Sequence, residues 1–488
     1  MEAVSGLTRD VLDRARRSRD ARFDGRFFIA VKTTRIYCRP ICPSRFSNDS
    51  NVRYYATAAE AAAAGFRPCL RCRPEAAPGS PAWTGTSAVV QRALRLIQDG
   101  ALNRRPVDDL ANRLGIGVRH LSRLFAQHVG VSPATVAQTH RLHFAKRLLD
   151  ETDLSITSIA LASGFGSIRR FNDAFRATYR RSPRELRKNR RVRGAAEILL
   201  RLAYRPPYDW EHLRAFLASR AIPGVEAVDG ESYRRAVRTP SGYAVLQVRP
   251  LSEVHALELR IQGAAPAELP ALVSSARRMF DLAADPERIG ATLLTDRRLR
   301  LLITRRPGLR IPGVWDPFEC CVRAILGQQP TVAAATTILA RLTERFGATI
   351  ESPLAGITHL FPAPAALADA HLEVSGLTRT RRLALRLLAQ GVCNKAIRFD
   401  APSEVLARTL SALPGVGRWT VGFVELRALG EPDALPYGDL LLRRQISPDG
   451  KPLTPLELEA SAEKWRPFRG YAVLHLWGAA KPQHRVMS

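Results

Sequence analysis

Apolar and polar positions follow different rhythms in different stretches of this chain. Between about 83 and 190 the apolar residues recur at helical spacing, and one motif occurs twice. Leu110-Ala111 followed by Gly115 is matched 49 residues later by Ile159-Ala160 followed by Gly164. A second apolar run follows each, Leu121, Leu124 and Phe125 in one copy and Phe171 and Phe175 in the other. A small Ala lets two helices cross closely, and Gly can take the turn between them. The pattern predicts two helix-turn-helix units. From 194 to 275 the rhythm shortens to two, as in Tyr243-Ala244-Val245-Leu246-Gln247-Val248 and Ala256-Leu257-Glu258-Leu259, which predicts strands. From 276 onward helical spacing returns: Phe318, Cys321, Val322, Ile325 and Leu326 share one helix face.

Pro and Gly in Pro74-Glu75-Ala76-Ala77-Pro78-Gly79-Ser80-Pro81 predict a linker. The basic run from Arg187 to Arg193 predicts an arm or a second linker. With 488 residues, three or four domains are expected. The resulting expectation is a multidomain, mainly α chain with α+β parts. Residues 1–80 form a small zinc domain and 83–190 a double helix-turn-helix domain. Residues 194–275 form an α+β domain and 276–488 an all-α domain.

Charge narrows the partners. The 74 basic residues against 45 acidic ones give +29, and only seven of the basic residues are lysine. Arginine's planar fork suits phosphate oxygens and guanine edges. A polyanion such as double-stranded DNA is the natural partner, the bland alternative being a solvated basic surface. The opening residues lack the apolar core of a signal peptide. The longest apolar stretch, near Thr331–Ala340, is too short for a bilayer. The expectation is a cytoplasmic, nucleoid-associated monomer without membrane contact, its thiols reduced.

Four of seven cysteines crowd into the first 72 residues, as Cys38-x3-Cys42 and Cys69-x2-Cys72. Two close pairs of soft ligands suit the tetrahedral preference of Zn²⁺. Spacing leaves open whether such a site is a structural ribbon or a reactive one. The surrounding residues, Asp24-Gly25-Arg26-Phe27-Phe28 through Thr34-Arg35-Ile36-Tyr37-Cys38-Arg39-Pro40 and Gly65-Phe66-Arg67-Pro68-Cys69-Leu70-Arg71-Cys72-Arg73-Pro74, resemble the N-terminal domain of the Ada methylphosphotriester methyltransferases. That resemblance covers about 20–76. It implies that Cys38 accepts a methyl group from alkylated DNA, that Cys38, Cys42, Cys69 and Cys72 hold zinc, and that Thr34, Arg45 and Arg67 touch DNA. Arg35 stands where the family often has Gly.

The paired motif from Pro106 through Gly164-Phe165-Gly166-Ser167-Ile168-Arg169-Arg170-Phe171 to Ser182-Pro183 resembles the AraC-type DNA-binding domain over about 86–188. Recognition helices would start near Val118–Arg123 and Ser167–Asn172 and enter successive major grooves of promoter DNA. His120, Arg123, Arg169 and Asn172 are the candidate readers, each open to being a solvated surface residue instead. RNA polymerase is the partner such a regulator implies.

Arg205-Pro206-Pro207-Tyr208-Asp209-Trp210, Pro307-Gly308-Leu309-Arg310-Ile311-Pro312-Gly313 and Tyr471-Ala472-Val473-Leu474-His475-Leu476-Trp477 resemble the AlkA-type 3-methyladenine DNA glycosylases over about 290 residues. The resemblance implies a TBP-like α+β domain followed by a helix-hairpin-helix glycosylase domain. Leu413-Pro414-Gly415-Val416-Gly417-Arg418-Trp419-Thr420 reads as the hairpin. Its Gly415 and Gly417 let backbone N–H groups approach a phosphate, and the family binds a monovalent cation there. Asp439 falls in the family's catalytic segment, where a carboxylate steadies the oxocarbenium that forms as a base–sugar bond breaks. An Asp after a loop is also a common helix N-cap. Trp419 replaces the Lys that strand-cutting relatives use for a Schiff base, so a monofunctional glycosylase of the 3-methyladenine II type is expected. Trp419, Phe423 and Trp477 would line the base pocket. Phe423 stands in place of a frequent Tyr, and Gln329 is the residue that would fill the gap in DNA. Asp433 reads as a solvated turn residue. Cys320 and Cys393 read as incidental and Cys321 as core. A Pro-Cys-His-Arg acceptor motif is absent. The competing reading is a methylation-sensing activator whose glycosylase half is inactive.

Overall fold

The structure is a computed structural model that describes every residue except 1–3, 5, 79–87, 104, 188–196, 252, 329–330, 448–450 and 480–488. Most of the linker tail and of the basic arm therefore lie outside the described residues, as do Gln329 and Pro330. The chain divides into two compact units. One comprises Met1–Pro206, Leu251–Arg277 and Leu282–Asp285; the other comprises Pro207–Pro250, Arg278–Asp281 and Pro286–Ser488. Among the described residues no helix is long and apolar enough to cross a membrane.

The first unit opens with α1 (Arg9–Ser18) and a four-stranded sheet in the order β3-β1-β2-β4. Its strands are β1 (Phe28–Val31), β2 (Ile36–Cys38), β3 (Val52–Tyr55) and β4 (Arg67–Pro68). Side chains alternate across a strand. Ile29 accordingly joins Leu12, Phe27 and Tyr54 on one face, while Phe28 and Ala30 join Tyr37, Phe66 and Ala61 on the other. Ala61 belongs to α2 (Ala58–Ala63).

Seven further helices follow: α3 (Ala88–Gln98), α4 (Val107–Leu114), α5 (Val118–Val129), α6 (Pro133–Glu151), α7 (Ile156–Ala162), α8 (Ile168–Tyr179) and α9 (Pro183–Leu186). The twofold sequence motif becomes α4-turn-α5 and α7-turn-α8. Ala111 and Ala160 are buried, and Gly115 and Gly164 take the left-handed φ of 73° and 79° that ends α4 and starts the turn after α7. The 19-residue α6 joins the two pairs. Strands Glu197–Ala203 and Ala256–Gln262 pair antiparallel in the same unit.

The second unit holds an antiparallel meander of Glu226–Asp229, Ser232–Thr239 and Gly242–Leu251. Its helices include α10 (Trp210–Ala218), α11 (Pro317–Leu326), α12 (Val332–Phe346), α13 (Arg379–Cys393), α14 (Ser403–Ser411), α15 (Arg418–Arg427), α16 (Leu440–Ile446) and α17 (Arg469–Ala479). The predicted face of α11 is buried in one core with α12, α13 and α15. Cys320 is fully buried in that core beside Cys321, so it is packing material and not incidental. Strands of the 194–275 stretch contribute to both units.

Candidate functional site

At the end of β2 the sulfurs of Cys38, Cys42, Cys69 and Cys72 lie within 4.8 Å of one another. Zn–S bonds near 2.3 Å in a tetrahedron need sulfurs about 3.8 Å apart, so the donor set and its spacing fit zinc. Four thiolates gathered this closely need a cation among them to be charged together. The backbone sets the geometry. Cys69 N–H donates to Tyr37 C=O at 2.9 Å, and Cys42 N–H to Arg39 C=O at 3.1 Å. The Arg39 amide donates to Cys72 Sγ at 3.3 Å, and its buried guanidinium is paired with Asp24 (Nε to Oδ1, 2.8 Å). Of the four cysteines Cys38 is the more exposed. Thr34 and Arg45 are exposed and Arg67 half-buried, on the loop before β2, the loop after Cys42 and β4. Arg35, in the position often held by Gly, has a left-handed φ of 55°. Its guanidinium lies over the Phe66 ring at 5.2 Å.

His120 and Arg123 stand exposed in the first two turns of α5, with Arg123 Nη2 and His120 Nδ1 3.0 Å apart. Arg169 is exposed and Asn172 half-buried in the first turns of α8. All four sit at the N-terminal ends of the second helices, where a recognition helix meets base edges.

In the second unit α14, a turn at Leu413–Gly417 and α15 form the hairpin. Gly415 is exposed with φ 73°, and the exposed Gly417 N-caps α15 without a side-chain partner for the helix's first amides. Those amides are free to meet an anion. Asp439 is the N-cap of α16, its Oδ1 accepting the Leu442 N–H at 2.8 Å. Trp419 Nε1–H donates to its Oδ2 at 2.8 Å. Burial pushes the Asp439 pKa up, and these donors oppose the shift. Trp419 stacks on Phe423 (5.4 Å, 23°), and Phe423 lies 6.4 Å from Trp477. Both indoles remain partly exposed. A close approach places the Asp loop: a Cβ on Gly422 of α15 would sit 2.6 Å from the Leu435 carbonyl oxygen. Arg418 also lies over the Tyr437 ring at 3.4 Å.

Thus the structure brings Trp419, Phe423, Trp477 and Asp439 together, while Gln329 lies outside the described residues. Asp433 does lie in a turn, but it is half-buried and not simply solvated. It is paired with Arg466 and with Arg469 at 3.0 Å, because the α17 start packs beside it. Sequence reasoning missed two residues. Gln328 donates through Nε2 to the Gly415 carbonyl at 2.8 Å and to Thr420 Oγ1 at 3.2 Å. Phe216 of α10 lines a shallow cleft together with Phe423 and Arg427. Gln328 directly precedes Gln329, the residue expected to fill the gap in DNA, and that adjacency was the available signal. Asp439 is not among the residues lining that cleft.

Three family models match the chain: the metal binding domain of Ada over 12–75, a helix-turn-helix domain over 110–189 and the AlkA N-terminal domain over 199–316. A probable bifunctional transcriptional activator/DNA repair enzyme AlkA of Mycobacterium tuberculosis is 39% identical over 472 residues, 95% of either chain. DNA-3-methyladenine glycosylase 2 of Escherichia coli is 32% identical over 57% of this chain and 95% of its own. A solved 3-methyladenine DNA-glycosylase from Archaeoglobus fulgidus shares the fold (TM-score 0.51, 24% identity) across 57% of this chain and 96% of its own.

Proposed function

Because the chain belongs to the family of bifunctional transcriptional activator/DNA repair proteins of the AlkA type, we propose that it excises alkylated bases from DNA. In the same reading it takes methyl groups from DNA methylphosphotriesters and regulates transcription in response. The observation that carries the excision reading is one buried carboxylate, Asp439, held by the Trp419 indole N–H and the Leu442 backbone N–H beside the hairpin.

A base in duplex DNA must be flipped out before its glycosidic bond is reached. Backbone amides of the hairpin, from Gly415 and Gly417 onward, anchor a phosphate, and a monovalent cation bound to the turn's carbonyls would assist. Gln329 fills the gap left in the helix. Trp419, Phe423 and Trp477 offer aromatic faces, which attract cationic bases of the 3-methyladenine type. As the C–N bond lengthens, its electron pair leaves with the base and positive charge grows on the deoxyribose. The Asp439 carboxylate stabilises that charge and aligns the water that attacks. With Trp at 419 there is no amine for a Schiff base, so the backbone is left intact.

For methyl transfer, Cys38, Cys42, Cys69 and Cys72 would hold zinc, whose charge would keep their thiols deprotonated at neutral pH. Cys38 Sγ attacks the methyl carbon in line. An S–C bond forms, the C–O bond breaks, and the phosphodiester leaves with the electron pair. The reaction is suicidal because the thioether is not reversed. The cluster loses one negative charge. At about 5–10 Å from phosphate and an effective dielectric of about 20, this is worth about 2–3 kcal/mol. Promoter affinity would rise about 30- to 150-fold. Thr34, Arg45 and Arg67 contact the alkylated strand, and His120, Arg123, Arg169 and Asn172 contact the promoter. The protein acts as a cytoplasmic, nucleoid-associated monomer that recruits RNA polymerase.

The test is incubation of the full chain with methylated duplex DNA, followed by chromatography of released bases and gel analysis of the strand. Free 3-methyladenine with an uncut abasic strand is expected. No free base would leave only the activator reading, and direct strand cutting would remove the monofunctional assignment.

A further inference from the structure

Each half of the cysteine cluster is tied to the same helix. Tyr37 directly precedes Cys38 and is fully buried. Its hydroxyl lies 2.8 Å from Nε2 of His143, in the middle of α6. Burial pushes the His143 pKa far down, so the neutral ring can accept the phenolic O–H. Arg73 directly follows Cys72 and has a left-handed φ of 53°. Its guanidinium meets Asp150 at 2.9 Å and Glu151 at 3.1 Å in the last turn of α6. Two residues further on, Glu75 lies 3.6 Å from Lys146, between those two anchor points. The links span residues 143–151, more than two turns of the helix that joins the paired helix-turn-helix units.

We infer that Tyr37 and Arg73 are positioning residues through which the cysteine cluster and α6 hold one another, so that alkylation of Cys38 is felt in the helix that joins the two DNA-reading pairs. A thioether is a weaker, bulkier ligand than a thiolate, so alkylating Cys38 shifts the end of β2. Tyr37 cannot absorb that shift by moving into solvent. It packs edge-on against Phe28 at 5.9 Å and is bonded to His143. A packed core responds to such a change by repacking and not by continuous deformation. This coupling adds a mechanical route to the change of charge and rests on the acceptor role proposed for Cys38. It is reciprocal: whatever orders α6 also orders the cluster.

The test uses the zinc-loaded full chain and methyl iodide, a small donor that needs no DNA; an S–C bond forms at Cys38 and iodide leaves. Peptide mass spectrometry locates the methyl, and hydrogen–deuterium exchange is followed over 133–151 before and after. Exchange in wild-type α6 should change by about threefold or more on alkylation. Tyr37→Phe, which keeps the ring and removes only the hydroxyl, should bind zinc and accept the methyl but lose most of that response. Arg73→Gln should lose it near 150–151. Unchanged wild-type exchange, or a full response in Tyr37→Phe, overturns the coupling. If methyl iodide alkylates Cys38 but a DNA methylphosphotriester does not, the acceptor role falls while the exchange data still judge the coupling. If methyl iodide spares Cys38, both fall.

Discussion

Trp419, the second residue of α15, donates its indole N–H to Oδ2 of Asp439, the residue that caps α16. The other carboxylate oxygen is taken by the cap itself. In the proposed reading capping and chemistry share one side chain, and the cap fixes how the carboxylate faces the aromatic cluster. Burial favours the neutral acid, while the donors favour the anion.

Removing one donor should be visible in the pH dependence. Trp419→Phe keeps an aromatic face but deletes the N–H, and a hydrogen bond to a charged group is worth about 1.5–3 kcal/mol. Asp439 already has a raised pKa, so the acid limb of single-turnover base release should move higher still, by about one pH unit or more. An unmoved limb would mean that the indole does not bias the carboxylate.

The approach of α15 to the Asp loop is equally specific. Gly422→Ala puts a Cβ against the Leu435 carbonyl oxygen. The loop must retreat, at a cost of about 1–3 kcal/mol in stability. Base release should fall more than melting predicts, because Asp439 lies four residues beyond Leu435. Wild-type kinetics in a destabilised Gly422→Ala protein would separate packing from chemistry.

Chelation should act on one region only. Zinc binding to a four-thiolate site is also folding free energy, about 10 kcal/mol or more. Stripping zinc, or replacing Cys69 by Ser, should unfold residues around the cysteine pairs and abolish methyl uptake. Base release should continue. Limited proteolysis with parallel base-release assays tests this, and equal loss of both activities would contradict it.

Acid should strain the first unit before the ordinary carboxylate range is reached. Burial pushes the pKa of His140 down to about 4 and that of His143 to about 3, against 6.5 for a free side chain. The folded state therefore binds fewer protons than the unfolded chain. Their contribution to stability is complete above pH 6.5 and is lost progressively as pH falls towards 4 and 3. Melting followed between pH 7 and 4 should show the decline, reduced in His140→Phe. A flat profile would refute it.

Much of this was legible in the chain because short-range chemistry dictated it. Paired Cys spacing, the Ala–Gly repeat and the L-P-G-x-G turn each act within a few residues, and each appears as expected. What could not be read were relationships across long separations. Tyr37 and His143 are 106 residues apart. The N–H edge of Trp419 proved as informative as its face, because periodicity says which side of a helix is apolar but not where an indole nitrogen points. The pairing of Asp433 was hidden for the same reason, since Arg466 and Arg469 reach it from 33 and 36 residues away.

The most direct test of the account is single-turnover release of 3-methyladenine by Asp439→Asn. The amide retains the size of the side chain and an oxygen for the cap but not the charge. Release should drop about 100- to 1000-fold, with DNA affinity and melting close to wild type. An Asn variant that excises bases at the wild-type rate would contradict the assignment of the carboxylate, and with it the chemistry proposed for this half of the protein.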